Sequence, residues 1–123
     1  MSDVQIMTGN TAAAHGAKLC KVQVVSAYPI TPSTQMGEGW AAAVADGKRN
    51  VNGRSLLFFE PEGEHAAAAV TAGMSMTGLR ATNFSSGQGI AYMHESLYAA
   101  VGKRLTYVLN VACRASVVST FIV

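Results

Sequence analysis

Four apolar, β-branched runs alternate with alanine-, glycine- and methionine-rich segments, and this alternation restricts the chain to few architectures. The apolar runs are residues 22–27, 54–59, 79–84 and 105–112. The segments of helical character are residues 11–20, 32–46, 61–77 and 88–101. Strands alternating with helices of this length predict βαβ units around a parallel sheet. Leu56-Leu57-Phe58-Phe59 is continuously apolar, as strands are when helices cover both faces of a sheet. The expected fold is therefore α/β, a three-layer sandwich around a mainly parallel sheet. Punctuation supports the same division. Gly9-Asn10 is placed to cap the first helix, Thr31-Pro32 reads as an N-cap followed by proline at the first helical position, and Glu60-Pro61 repeats that signal. Gly47, Gly78 and Gly102 stand where helices should stop.

A parallel sheet brings every strand-to-helix turn to one edge, the carboxyl end of the strands, where open α/β sheets bind ligands. The turns fall near Thr31, Glu60 to Glu64, Ser86 to Gln88, and Arg114. A hydroxyl, a set of carboxylates, a glycine-rich turn and a guanidinium should thus meet on one rim.

Composition narrows the classes of function. With 123 residues the chain is expected to be a single domain spanning residues 1–123. Only 13% of residues are charged, against about a quarter in average usage, which suggests surface destined for burial against other domains or chains. The net charge of +2 comes from scattered basic residues, so nucleic acid is not an expected partner. No apolar run approaches the ~18 residues of a membrane helix, and no signal-peptide pattern opens the chain, so no membrane partner is expected. Cys20 and Cys113 form neither a disulfide framework nor a metal or cluster motif, which fits a reducing, cytoplasmic setting. No metal site is expected. Residues 116–123 are apolar and stop without a polar tail, suggesting a chain truncated relative to a longer parent.

Each candidate site residue also has a plain structural role. Pro29, Thr31 and Pro32 can form a rigid turn whose threonine caps the next helix, or one that faces a ligand. Glu60, Glu62 and Glu64 read as the first turn of the third helix, where acids complement the helix dipole by about 0.3–1 kcal/mol each. Glu64 differs because the small residues 66–69 follow it, so a flat ring can approach a carboxylate suited to acid–base work. Ser85-Ser86-Gly87-Gln88-Gly89 is neither a dinucleotide fingerprint nor a P-loop. Arg114 follows an apolar strand and needs an anion, either an internal carboxylate or a substrate carboxylate held bidentately. His15 and His94 are expected as half-buried packing residues, and Met36, Met74, Met76 and Met93 as core filler.

Tyr28-Pro29-Ile30-Thr31-Pro32-Ser33 resembles the YPITPS signature of the thiamine-diphosphate-dependent 2-oxoacid:ferredoxin oxidoreductases. Gly9-Asn10-Thr11-Ala12-Ala13, Glu64 with residues 66–73, Ser86-Gly87-Gln88-Gly89 with Met93-His94-Glu95, and Arg114-Ala115 follow in the family's order. The resemblance implies the family's pyrimidine-binding domain. It implies that Glu64 hydrogen-bonds N1′ of the aminopyrimidine and so promotes loss of the thiazolium C2 proton. It implies that Thr31 and Arg114 meet the substrate's carboxylate and carbonyl, and that Pro29, Gln88 and Gly89 lie against the cofactor. The implied reaction is oxidative decarboxylation of a 2-oxo acid, pyruvate above others, to an acyl-CoA, with electrons passing through iron–sulfur clusters to ferredoxin or flavodoxin.

The chain departs from the complete enzymes. It lacks the GDG motif of the diphosphate domain, so magnesium and the diphosphate site must come from a partner domain. Iron–sulfur clusters take about four cysteines each, and the two present place any clusters in partner domains. The isolated chain is accordingly expected to be inactive. Gly87 stands where pyruvate enzymes usually carry serine, while Gln88-Gly89 and Arg114-Ala115 favour pyruvate. Two alternatives remain at this level: a non-catalytic α/β interaction domain that keeps only the fold, and half of a thiamine-dependent decarboxylase or transketolase, which should lack the YPITPS turn.

Overall fold

The structure, a computed structural model, describes residues 4–114. The suggested truncation at residues 116–123 lies outside the described residues. The chain runs α1 (Gly9–Leu19), β1 (Val24–Ala27), α2 (Thr34–Ala45), β2 (Leu57–Phe59), α3 (Glu64–Met76), β3 (Ala81–Ser86), α4 (Gly87–Tyr92), α5 (His94–Gly102), β4 (Val108–Ala112). The four strands form one sheet in the order β2-β1-β3-β4, and every pairing is parallel. This is the α/β sandwich expected from the alternation of segments.

Two apolar clusters fill the spaces between the layers. Under α1 and α2, Val25, Ala27 and Phe84 of the sheet pack with Met36 and Trp40. Trp40 is fully buried, and its indole Nε1 donates to the Leu57 carbonyl at 2.9 Å, which ties α2 to the edge strand β2. On the other face, Ala68 of α3 and Met93 pack with Ala100, Tyr107 and Leu109. Ala67, Ala68 and Thr71 are completely buried on α3, and these small side chains let the helix lie close over β1 and β3. Beneath it, Ser26, Asn83 and Ser85 are fully buried polar residues of the central strands. Asn83 lies opposite Ser26, and Ser85 is two residues further along the same face.

Several boundaries differ from the sequence expectation. Thr8, rather than Gly9-Asn10, caps α1 by accepting from the Thr11 amide at 3.2 Å. Pro32 is not the first helical residue, because α2 starts at Thr34 after Ser33. The third helix starts at Glu64, so Glu60 and Glu62 lie in the turn before it. The segment 88–101 is two helices, broken at Met93, whose side chain is drawn wholly into the core. β3 continues through Ser86 and enters α4 directly at Gly87. β2 is an edge strand with Leu57 and Phe59 each 39% exposed, because α3 covers β1 and β3 but not β2. His15 and His94 are exposed rather than half-buried, and Met76 is exposed at the end of α3. Gly47 and Gly78 close their helices with positive φ, as expected.

Candidate functional site

Parallel pairing brings the four strand ends to one edge, with Ser26 beside Phe59, Ala27 beside Phe84, and β3 and β4 running on to Ser86 beside Ala112. The segments that leave those ends carry Pro29 and Thr31, Glu60 to Glu64, Gly87 to Gly89, and Cys113 to Arg114. All the residues singled out from the sequence therefore share one edge. Adjacent strands lie about 4.8 Å apart, so the ends of β1 and β4 flank β3 at roughly 10 Å from each other.

Glu64 and Gly89 are in direct contact. Glu64 opens α3 and is half-buried, and Gly89 is buried in α4. A methyl group placed on Gly89 would lie 3.0 Å from Glu64 Cγ and would overlap Ser85 Oγ. Glycine is thus required there by a close approach, not by a left-handed backbone. Gly87 faces β4 in the same way: a methyl there would stand 3.5 Å from Cys113 Sγ, which brings the residue before Arg114 against the turn. Gln88 is exposed, and its Oε1 accepts from Ser86 Oγ at 3.3 Å. Tyr92 packs against the residue before Glu64, because a methyl on Gly63 would come 3.3 Å from the Tyr92 ring.

On the β1 side, Ser33 Oγ donates to the Ile30 carbonyl at 2.8 Å and closes the proline turn. Asn10, in the first turn of α1, donates to the Pro32 carbonyl at 2.7 Å and holds the turn from outside. Pro29 and Thr31 are exposed on it. Pro29 also lines a cleft of about 170 Å³ with Thr34, Glu38, Phe58, Glu60 and Phe84. Thr31 and Arg114 share the edge with Glu64 but lie on separate segments of it. Glu60, Glu62 and Glu64 lie at the carboxyl edge, and Arg114 is the one lysine or arginine there among the described residues. The other basic residues sit in the last turn of α1 or in the segments leading into the strands. A larger groove of about 600 Å³, lined by Cys20, Arg80, Arg104 and Leu105, also lies at that amino edge, away from these residues.

Three roles escaped the sequence reading. Asn10 is expected there as a helix cap, and its bond to Pro32 has no local signal because the partner is 22 residues away. Cys113 was considered only as a thiol. Ser85 was read as part of a turn, whereas it is a buried strand residue. Its alternation with Asn83 along one face of β3 was the available clue.

The family described as pyruvate flavodoxin/ferredoxin oxidoreductase, thiamine diphosphate-binding, matches residues 15–120. The chain belongs to this family. It is 42% identical over 115 residues to pyruvate synthase subunit PorA of Methanocaldococcus jannaschii, covering 94% of this chain and 28% of that one. It is 42% identical over 105 residues to ketoisovalerate oxidoreductase subunit VorA of Pyrococcus horikoshii, covering 85% of this chain and 25% of that one. Among solved structures, the 2-oxoglutarate:ferredoxin oxidoreductase from Magnetococcus marinus superposes with a TM-score of 0.80 at 28% identity, over 98% of this chain and 20% of that chain. The chain thus spans about a quarter of the length of the curated relatives it matches. Among the described residues no helix is long and apolar enough to cross a membrane, and no group of three or more histidine, cysteine or acidic residues could hold a metal ion.

Proposed function

We propose that this chain is the pyrimidine-binding part of a thiamine-diphosphate-dependent 2-oxoacid:ferredoxin oxidoreductase. The observation that carries the reading is the packing of Glu64 against Gly89 at the carboxyl edge of a chain that belongs to this family. The residues suit the cofactor. A half-buried carboxylate stands at the start of a helix, the adjacent backbone is bare because a Cβ on Gly89 would fill the space, and small side chains follow on α3. When bound, thiamine diphosphate supplies the electron sink that allows carbon dioxide to leave a 2-oxo acid.

Glu64 holds a hydrogen bond to N1′ of the pyrimidine and shares a proton with that atom. Pro29, Gln88 and Gly89 bound the space around the ring and orient it. Arg114, the one guanidinium of the edge among the described residues, holds the carboxylate of the 2-oxo acid, for which its fork geometry is suited. Thr31 donates its hydroxyl to the same end of the substrate. The substrate proposed is pyruvate, converted with coenzyme A to an acyl-CoA and carbon dioxide, with two electrons passing to ferredoxin or flavodoxin. Partner domains or subunits supply magnesium, the diphosphate site and the iron–sulfur clusters, in agreement with the quarter of the relatives' length that this chain spans. The two free cysteines suit a cytoplasmic setting.

The test is Glu64→Ala in the complete oxidoreductase, with decarboxylation and thermal unfolding measured together. Decarboxylation should be abolished while the melting temperature stays near that of the wild type. Retained turnover would overturn the role given to Glu64. Purification of the tagged chain from its source should bring with it a partner carrying clusters, seen as visible absorbance.

A further inference from the structure

Ser85 adjoins Gly89 beside Glu64, and the mechanism leaves it without a task. It is fully buried, and among the described residues its hydroxyl has no hydrogen-bond partner. A buried hydroxyl in that condition is costly, so native structures nearly always give it one. Its surroundings define where a partner can be. The atoms nearest to a methyl on Gly89 would belong to Ser85 and Glu64, so both adjoin the same stretch of bare backbone. Ser85 itself cannot move away. It is held in β3, in register with Val111 of β4 and one residue past the end of the β1 pairing, and only the rotation of its hydroxyl remains free. Gly89 screens it from the edge, so it cannot reach a substrate.

We propose that Ser85 is a positioning residue whose hydroxyl, lying across Gly89 from Glu64, donates to the Glu64 carboxylate and fixes its orientation toward the cofactor. This rests on the role proposed for Glu64 above. A hydrogen bond from a rigid strand would hold one carboxylate oxygen and leave the other directed outward. It would also explain why the space between the two side chains admits glycine alone. Ser26 and Asn83 are buried on the same face but lie further from the carboxyl edge than Ser85.

The test uses the complete oxidoreductase carrying Ser85→Ala, Ser85→Thr or Glu64→Gln. The readouts are exchange of the C2 hydrogen of bound thiamine diphosphate for deuterium, kcat and KM for the 2-oxo acid, and the melting temperature. Ser85→Ala should slow exchange and kcat by about tenfold, the usual scale for one charge-assisted hydrogen bond, with KM and melting unchanged. Ser85→Thr keeps the hydroxyl and should restore exchange. Should Ser85→Ala fail to assemble, Ser85→Cys fills the place with a weak donor and should show the same slowing. Wild-type exchange in Ser85→Ala, or equal loss in the threonine variant, would overturn the proposal while leaving Glu64 in its role. Wild-type exchange in Glu64→Gln would instead overturn the reading of Glu64, and this one with it.

Discussion

Replacing Gly89 by alanine is the most direct perturbation of the edge, because its effects on stability and on activity should separate. The new methyl would overlap Ser85 Oγ, stand 3.4 Å from Ser85 Cβ and come 3.0 Å from Glu64 Cγ. The Cβ contact is ordinary. The other two must be relieved by turning the serine hydroxyl and by displacing Glu64 a few tenths of an ångström or more. Overpacking of this kind costs about 1–3 kcal/mol. Alanine regains about 0.8–1 kcal/mol over glycine in a helix, and Gly89 has no positive φ to lose. The net loss of stability should therefore be about 0–2 kcal/mol. Activity should respond far more strongly, since a misplacement of about 1 Å can cost on the order of 100-fold. The assay is steady-state decarboxylation by the complete oxidoreductase, paired with thermal unfolding. Ser85→Ala added to Gly89→Ala should recover stability by removing the overlapped hydroxyl, yet should not restore the rate. A Gly89→Ala enzyme with wild-type turnover would refute the reasoning, because it would mean that Glu64 tolerates displacement.

Two further substitutions probe the surroundings. Asn10→Ala frees the Pro32 carbonyl and should lower kcat/KM severalfold through Thr31, with about 1 kcal/mol of stability lost; equal kinetics in variant and wild type would show that the proline turn holds itself. Tyr107→Phe removes a buried hydroxyl that has no partner among the described residues and should leave stability equal or higher at neutral pH, as read by denaturant unfolding. Burial raises the Tyr107 pKa above 10.0. Below pH 10 the hydroxyl is neutral in both folded and unfolded chains; as the pH rises further the unfolded chain ionises first and wild-type stability falls until the folded-state pKa is passed. The advantage of Tyr107→Phe should thus widen above pH 10, and parallel stability curves would contradict this.

The alternation of apolar runs with small-residue segments was enough to read the parallel α/β sandwich, and parallel topology alone brought Thr31, Glu64, Gln88 and Arg114 to one edge. Element ends were less legible where packing overrode local signals. Pro32 and Pro61 invite helix starts, yet the chain turns for two or three residues more, so Ser33 and Gly63 precede the helices. Met93 interrupts a helical segment because the core takes its side chain. The exposure of Leu57 and Phe59 depends on which strand is at the edge, and strand order is not written in the alternation.

The sequence by itself determined the layers, the shared edge and the chemistry available there, because periodicity, turn residues and residue types are local properties. Only the tertiary structure decided which of those groups touch. Glu64, Ser85 and Gly89 meet because α3, β3 and α4 converge, and Asn10 reaches Pro32 across 22 residues of chain. Such contacts depend on how closely two backbones approach, and that distance is fixed by packing in three dimensions rather than by spacing along the chain.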